Sequence, residues 1–367
     1  MHHYADRISK RGIENLVPAN ATLAAPSTKW RVVSALQKAI RRGDVNQAHL
    51  TASALMNSGE TDYLYRRLSV IAMEDIAFGD IPLVAEVYAF CGYSAVRKEL
   101  PPATMLNLVK WMAMTPRRDR SPCELSTVAN YAHSFELRMK ILRADQAENL
   151  DIALHHPDQS LRLVAGWALC GDLHDQKKNR VERETAHRDT KRWHEFTAGM
   201  PSDHMLIAKK GLTYGGECAG LASAMRICWE MEGKPEVDLP FTMFVHEDNA
   251  PAYTYINGLM SVAFDEHNHE GKRAMAYFNK ACPAVGAFFE ANPVPERLRT
   301  LGNAIFESEG KWCKGRSWTA KSWDHDQLGM WLNGEARGLS GTAFGELRKI
   351  VIDNIDLLNH ARKRVME

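Results

Sequence analysis

The sequence contains no apolar run approaching the roughly 18 residues that a membrane-spanning helix needs, and its first residues, Met1-His2-His3-Tyr4-Ala5-Asp6-Arg7, hold no signal-like apolar core. Membrane insertion and secretion are not expected, and the reading is a cytoplasmic protein of a bacterium or a phage-infected host cell. Charge imbalance is almost absent: 46 Lys and Arg face 45 Asp and Glu, a net charge of +1. Any attraction to nucleic acid must therefore come from local patches. There is no Cys-x-x-Cys pair among the seven cysteines, Cys91, Cys123, Cys170, Cys218, Cys228, Cys282 and Cys313. Their scatter and odd number argue against a zinc finger and a disulfide framework. Also missing is Gly-x-x-x-x-Gly-Lys-Ser/Thr, so no loop is built to cradle a nucleotide for hydrolysis. Neither a cofactor nor a metal is expected, and the chain reads as non-enzymatic.

What is present is ordinary globular material, 45% hydrophobic and 25% charged over 367 residues, enough for two domains. Trp30, Val33, Leu36 and Ile40 fall at helical spacing, with Arg31, Lys38 and Arg42 opposite, and Gly43 ends the pattern. Asp44 caps a second helix striped by Val45, Ala48, Ala52 and Leu55, which Asn57-Ser58-Gly59 stops. A third carries Leu64, Leu68, Ile71 or Ala72, and Ile76 before Gly79-Asp80, and Pro82 opens the next near its first turn. Pro101-Pro102 repeats that device ahead of residues 105–114. Helical patterning runs to about residue 170, residues from about Asp175 to Phe196 are nearly all polar or charged, and 175–200 reads as a solvated linker or arm. Beyond it, residues 239–245 suit an edge strand, and helices are expected over 252–264 and 272–281. A single long amphipathic helix from Thr342, striped by Phe344, Leu347, Val351, Ile355 and Leu358, closes the chain. The organisation is thus an arm (1–29), a helical domain (30–174), the linker (175–200) and a second mostly helical domain (201–367) with minor β. Strands do not alternate with helices, which disfavours Rossmann and barrel folds.

The densest chemical signal is Lys311, Trp312, Lys314, Arg316, Trp318, Lys321 and Trp323, with Trp331 close behind. Aromatic faces that stack on bases, interleaved with cations that track phosphates, are what binding of single-stranded DNA requires. Core tryptophans with lysines solvating a loop edge would give the same composition. A second basic set comprises Arg41, Arg42, Arg66, Arg67, Arg117, Arg118 and Arg120, which could meet phosphate or cap helix carbonyls and pair with Glu60, Glu74 or Asp75. Gly216-Glu217-Cys218-Ala219-Gly220 has the outline of a nucleophile elbow for a thiol-dependent hydrolase, although a small-residue loop explains it equally. Asp265, His267, His269 and Glu270, and separately His246, Glu247 and Asp248, supply metal-ligand types without a His-Glu-x-x-His helix; a polar turn with capping acids is the simpler reading.

Residues 34–44, then Gly59-Glu60, Tyr65-Arg66-Arg67-Leu68, Ile71-Ala72-Met73-Glu74-Asp75-Ile76 and Asp80, taken in order, resemble the helical region that follows the AAA+ module in RarA/MgsA-type replication ATPases. Met114-Thr115-Pro116-Arg117-Arg118 stands where that family tends to end a helix before Pro-Lys-Ser. The likeness covers about residues 30–140. It departs at Thr61-Asp62, where the family usually has Asp-Pro, and it lacks the upstream motor. The resemblance implies a clamp-loader-collar-like helical domain for oligomerisation and for docking a replication-fork protein, with no ATP hydrolysis. The overall profile also resembles phage single-stranded-DNA-binding cofactors that recruit an RNA polymerase. The combined expectation is a viral transcription or replication accessory protein that binds single-stranded DNA; a protein-protein adaptor without DNA binding is the alternative.

Overall fold

Asp44 and Asp80 each stand at a point where the chain must restart a helix, and each accepts a backbone N–H three residues on, from Gln47 and Leu83. The computed structural model describes residues 1–23, 28–120, 135–142, 144–158, 161–162, 164–165, 201–207, 250–316 and 320–367. Within these the chain is mainly α with one two-stranded sheet. The linker at 175–200, the edge strand at 239–245 and the Cys218 elbow lie outside the described residues.

The helices are α1 (His2–Lys10), α2 (Lys29–Arg42), α3 (Val45–Asn57), α4 (Thr61–Ile71), α5 (Ile81–Gly92), α6 (Ser94–Lys98), α7 (Thr104–Met114), α8 (Phe135–Leu142) and α9 (Gln146–His155). Further along the chain come β1 (Tyr255–Ile256), β2 (Leu259–Met260), α10 (His269–Ala281), α11 (Pro283–Ala291), α12 (Arg297–Ile305), α13 (Ala320–Glu335), α14 (Gly341–Asp353) and α15 (Ile355–Met366).

Gly43 ends α2 in the left-handed region at φ 71°, where its backbone N–H and that of Asp44 return to carbonyls of the last turn. The stripes read from the sequence are buried as expected: Val33, Leu36 and Ile40 on α2, Ala48, Ala52 and Leu55 on α3, Leu64 and Leu68 on α4. The arm is itself helical. Tyr4 and Ile8 of α1 enter the same core, and Arg7 and Arg11 both reach Glu86 on α5. Burial raises the Glu86 pKa, and the two guanidiniums only partly oppose it. The first core also takes Leu206, Ile207, Met260, Val262 and Ala263, so packing crosses the charged stretch in the sequence. A second core, built by α10, α11, α12, α14 and α15, centres on Phe278, Phe288, Leu301, Phe344, Leu347, Val351 and Leu358.

Three sequence expectations need correction. The helix expected over 252–264 is a tight hairpin, Tyr255 opposite Met260, followed by a 3₁₀ turn at Ser261–Ala263. Asn257 and Gly258, both at positive φ, make the turn, and that Asn-Gly pair outweighs the apolar spacing around it. The closing helix is two helices. Asn354 leaves helical geometry at φ −120°, ψ 28°, and its side chain bonds the Ile350 carbonyl, although the stripe Phe344, Leu347, Val351 and Leu358 stays buried through the break. The third helix does not run regularly to Ile76: it widens into a π-turn at Ala72–Ile76 and then tightens into a 3₁₀ turn at Ala77–Asp80. A second π-turn, Phe306–Gly310, ends α12 in the same way.

Candidate nucleic-acid interface and the adjoining cleft

Each π-turn delivers a carboxylate into the interior. Asp75 is fully buried and receives Arg41 Nε at 2.6 Å, Gln37 Nε2 at 2.9 Å and the Arg120 guanidinium. Burial would raise its pKa, but Arg41 and Arg120 outweigh that and hold it below the ordinary carboxylate value. Glu309, 1% exposed, is gripped by both terminal nitrogens of Arg362 from α15, whose Nε donates to the Phe264 carbonyl at 3.1 Å. Arg41 and Arg42, the last two residues of α2, join the two turns. Arg41 Nη1 donates to the Gly310 carbonyl while its Nε holds Asp75, and Arg42 Nη2 donates to the Glu309 carbonyl at 2.8 Å. Both carbonyls lie at a helix end; that of Glu309 also accepts the Trp312 N–H at 3.3 Å, and the two guanidiniums supply the further donors.

The same place collects the basic segments singled out in the sequence. Arg118 donates to Ile40, Met112, Ala113, Thr115 and Lys314 carbonyls, thereby finishing the C-terminal ends of α2 and α7. Its backbone N–H meets the Gly315 carbonyl at 3.0 Å, and the Lys314 N–H meets the Arg41 carbonyl at 3.1 Å. Three stretches far apart in sequence, 41–42, 116–118 and 311–316, therefore lie side by side. Gly315 permits the approach: its φ is +64°, and a Cβ there would stand 2.1 Å from the Pro116 carbonyl oxygen.

The cations divide by environment. Arg41, Arg42, Arg118, Arg120 and Lys311 are buried and committed to protein partners. Arg42 is stacked over Tyr253 and Trp312 at 5.1 and 5.2 Å, and burial lowers its pKa to about 10. Trp312 is half-buried against it, while Lys311 pairs with Glu307 at 2.7 Å. Arg117 and Lys314 are exposed and Arg316 half-buried, forming a ridge over the junction. Arg66 is exposed on α4, and its neighbour Arg67 turns to Gln37. Trp318 lies outside the described residues; Lys321 and Trp323 fall on α13. Trp331 is exposed and donates to Glu335.

The Asp265 to Glu270 run is a polar capping turn. Asp265 pairs with the buried Lys38, Asn268 caps α10 by accepting from Gly271 N, and Glu270 faces Arg31. Among the described residues no group of three or more His, Cys, Asp or Glu is arranged to hold a metal ion. His246, Glu247 and Asp248 lie outside them.

Sequence reasoning missed a cleft of about 660 Å³ that opens between the two π-turns. α2 supplies Trp30, Ser34, Gln37, Lys38 and Arg41 to its wall, and α4 supplies Tyr63 and Arg67. Glu266, Asn303, Glu307, Asn333 and Arg337 come from the second half. The available signal was Trp30, placed at the head of an apolar stripe yet 57% exposed. No family model, curated protein or solved structure matches the chain.

Proposed function

We propose that this is a non-enzymatic accessory protein that binds single-stranded DNA along the ridge of Arg117, Lys314 and Arg316, and that its helical first half docks a polymerase or replication factor. The observation that carries the reading is that residues 41–42, 116–118 and 311–316 lie side by side. The buried arginines beneath would fix the ridge, and the cations above would neutralise phosphates without demanding a base sequence. Docking follows only from the RarA/MgsA resemblance of residues 30–140, with transcription and replication both open to it and with homo-oligomerisation as its other implication.

The burial of Arg41, Arg42, Arg118 and Lys311 favours a second reading, a protein-protein adaptor in which these cations serve the fold alone. Fluorescence anisotropy with labelled single- and double-stranded oligonucleotides at two salt concentrations separates the two. The DNA reading requires salt-sensitive preference for single strands, weakened in an Arg117→Gln/Lys314→Gln double variant whose salt slope is shallower by about 0.7 per lost contact. Absence of binding to either form at micromolar protein leaves the adaptor.

A further inference from the structure

We propose that the cleft between the two π-turns is a binding site for one nucleotide unit, its base stacked on Trp30 beside Tyr63 and its phosphate held by Arg67. Three features of the wall point to this ligand class together. The first is aromatic. Trp30 and Tyr63 meet edge to face with centroids 6.0 Å apart, Trp30 is 57% exposed, and the Lys29 ammonium sits near both rings, 5.8 Å from the Trp30 centroid and 4.1 Å from that of Tyr63. A flat, polar heteroaromatic group covers such a plate better than an aliphatic chain.

The second is a donor awaiting an acceptor. Arg67 uses Nη2 on Gln37, and its Nε is buried without a hydrogen-bond partner. A buried donor left empty is costly, and a phosphate oxygen offers the planar guanidinium the acceptor it lacks. The third is the mixed sign of the remaining wall. Glu74, Glu266 and Glu307 would repel a bare phosphate; Glu74 already accepts from Gln37, and Glu307 from Lys311 and Asn333, yet a carboxylate keeps lone pairs for a further amino group. Glu266 is half-buried, and burial together with neighbouring Asp265 raises its pKa against the pull of His267 and Arg337. A ligand carrying both a phosphate and amino donors satisfies both kinds of group, so adenine, cytosine or guanine nucleotides should be preferred over uracil or thymine nucleotides. The volume lies within the usual span of small-molecule sites.

The nucleotide is either free or the phosphorylated end of a strand, and the test has an arm for each. Titrations of the full chain with AMP, UMP and inorganic phosphate are followed by calorimetry and tryptophan fluorescence. AMP should saturate, UMP should bind more weakly, and phosphate alone should not compete. Trp30→Ala and Arg67→Gln should each weaken AMP about tenfold without lowering the melting temperature, while binding of oligonucleotides without a terminal phosphate through Arg117 and Lys314 is unchanged. Competition of AMP by oligonucleotides carrying a terminal phosphate, but not by those lacking it, would identify the strand end; no competition would identify the free nucleotide. Absence of saturable nucleotide binding at millimolar concentration, or AMP binding indifferent to both substitutions, overturns the proposal. AMP binding that survives when the ridge fails to bind DNA would refute the ridge and leave the cleft standing.

Discussion

Each π-turn holds one carboxylate almost wholly out of solvent, Asp75 at 0% and Glu309 at 1%, but the two do so with different partners. Asp75 is shared by two guanidiniums, Arg41 and Arg120, and by Gln37, all from the first 120 residues. Glu309 has one guanidinium, Arg362, which reaches it from the last helix and is steadied by Phe264 and Asn359. Charges this deep persist only when paired and hydrogen-bonded. The first turn is thus a local knot within one half, whereas the second ties the end of the chain to the hairpin segment. Arg41 and Arg42 then bind one turn to the other, which is why the cleft and the basic ridge share a floor.

The sharpest way to break this arrangement is Asp75→Ala, which strands two buried guanidiniums facing each other. It should cost the upper part of about 3–5 kcal/mol, and Glu309→Ala, which strands one, the lower part. Urea denaturation of the two variants checks the order, and equal costs would contradict the difference drawn above. Gly315→Ala attacks the junction itself. The positive φ and the Pro116 carbonyl both oppose a Cβ, so a loss of about 1–3 kcal/mol is expected.

A pH series separates the carboxylates without mutation. Asp75 and Asp265 have folded pKa values below their ordinary 3.8, so their stabilisation is complete above that value and is lost as pH falls through the lower folded values. Glu266 is raised above 4.5, so it acts in the opposite direction, its contribution falling as pH rises through its folded value. Glu266→Gln should accordingly raise the melting temperature at neutral pH and leave the acid limb in place. A fall at neutral pH would show that its charge is supported by partners such as Arg337. The smallest stability effect belongs to the exposed ridge: Arg117→Gln/Lys314→Gln should shift stability by no more than about 0.5 kcal/mol, so any lost DNA affinity is read without a folding defect.

Much of the helical scaffold could be read before the structure. Helices α2 to α5, α7 and α10 follow from apolar spacing and from Asp44, Asp80, Pro82 and Pro101-Pro102, because a stripe at helical period needs one partner surface whatever its identity. Local chemistry misled where two local rules competed. At 252–264 apolar spacing lost to Asn257-Gly258, and after Thr342 the stripe concealed the break at Asn354. The basic residues were also found by composition, since Arg41, Arg42, Arg117, Arg118 and Lys311 to Arg316 stand out in the sequence.

Their sorting could not be read. Whether a given arginine meets solvent or a buried carboxylate depends on which helix end lies above it, and that is a contact between residues as distant as Arg118 and Lys314. The cleft is hidden for the same reason. Trp30, Tyr63 and Arg67 belong to two helices of the first half, and Glu266, Glu307 and Arg337 to the second; no spacing relates them. Sequence by itself determined the helical period, the caps and the supply of charge, because these act over a few residues. Only the tertiary structure decided which charges are spent inside, and where a cleft remains between the two turns, because both depend on contacts between residues far apart in the chain.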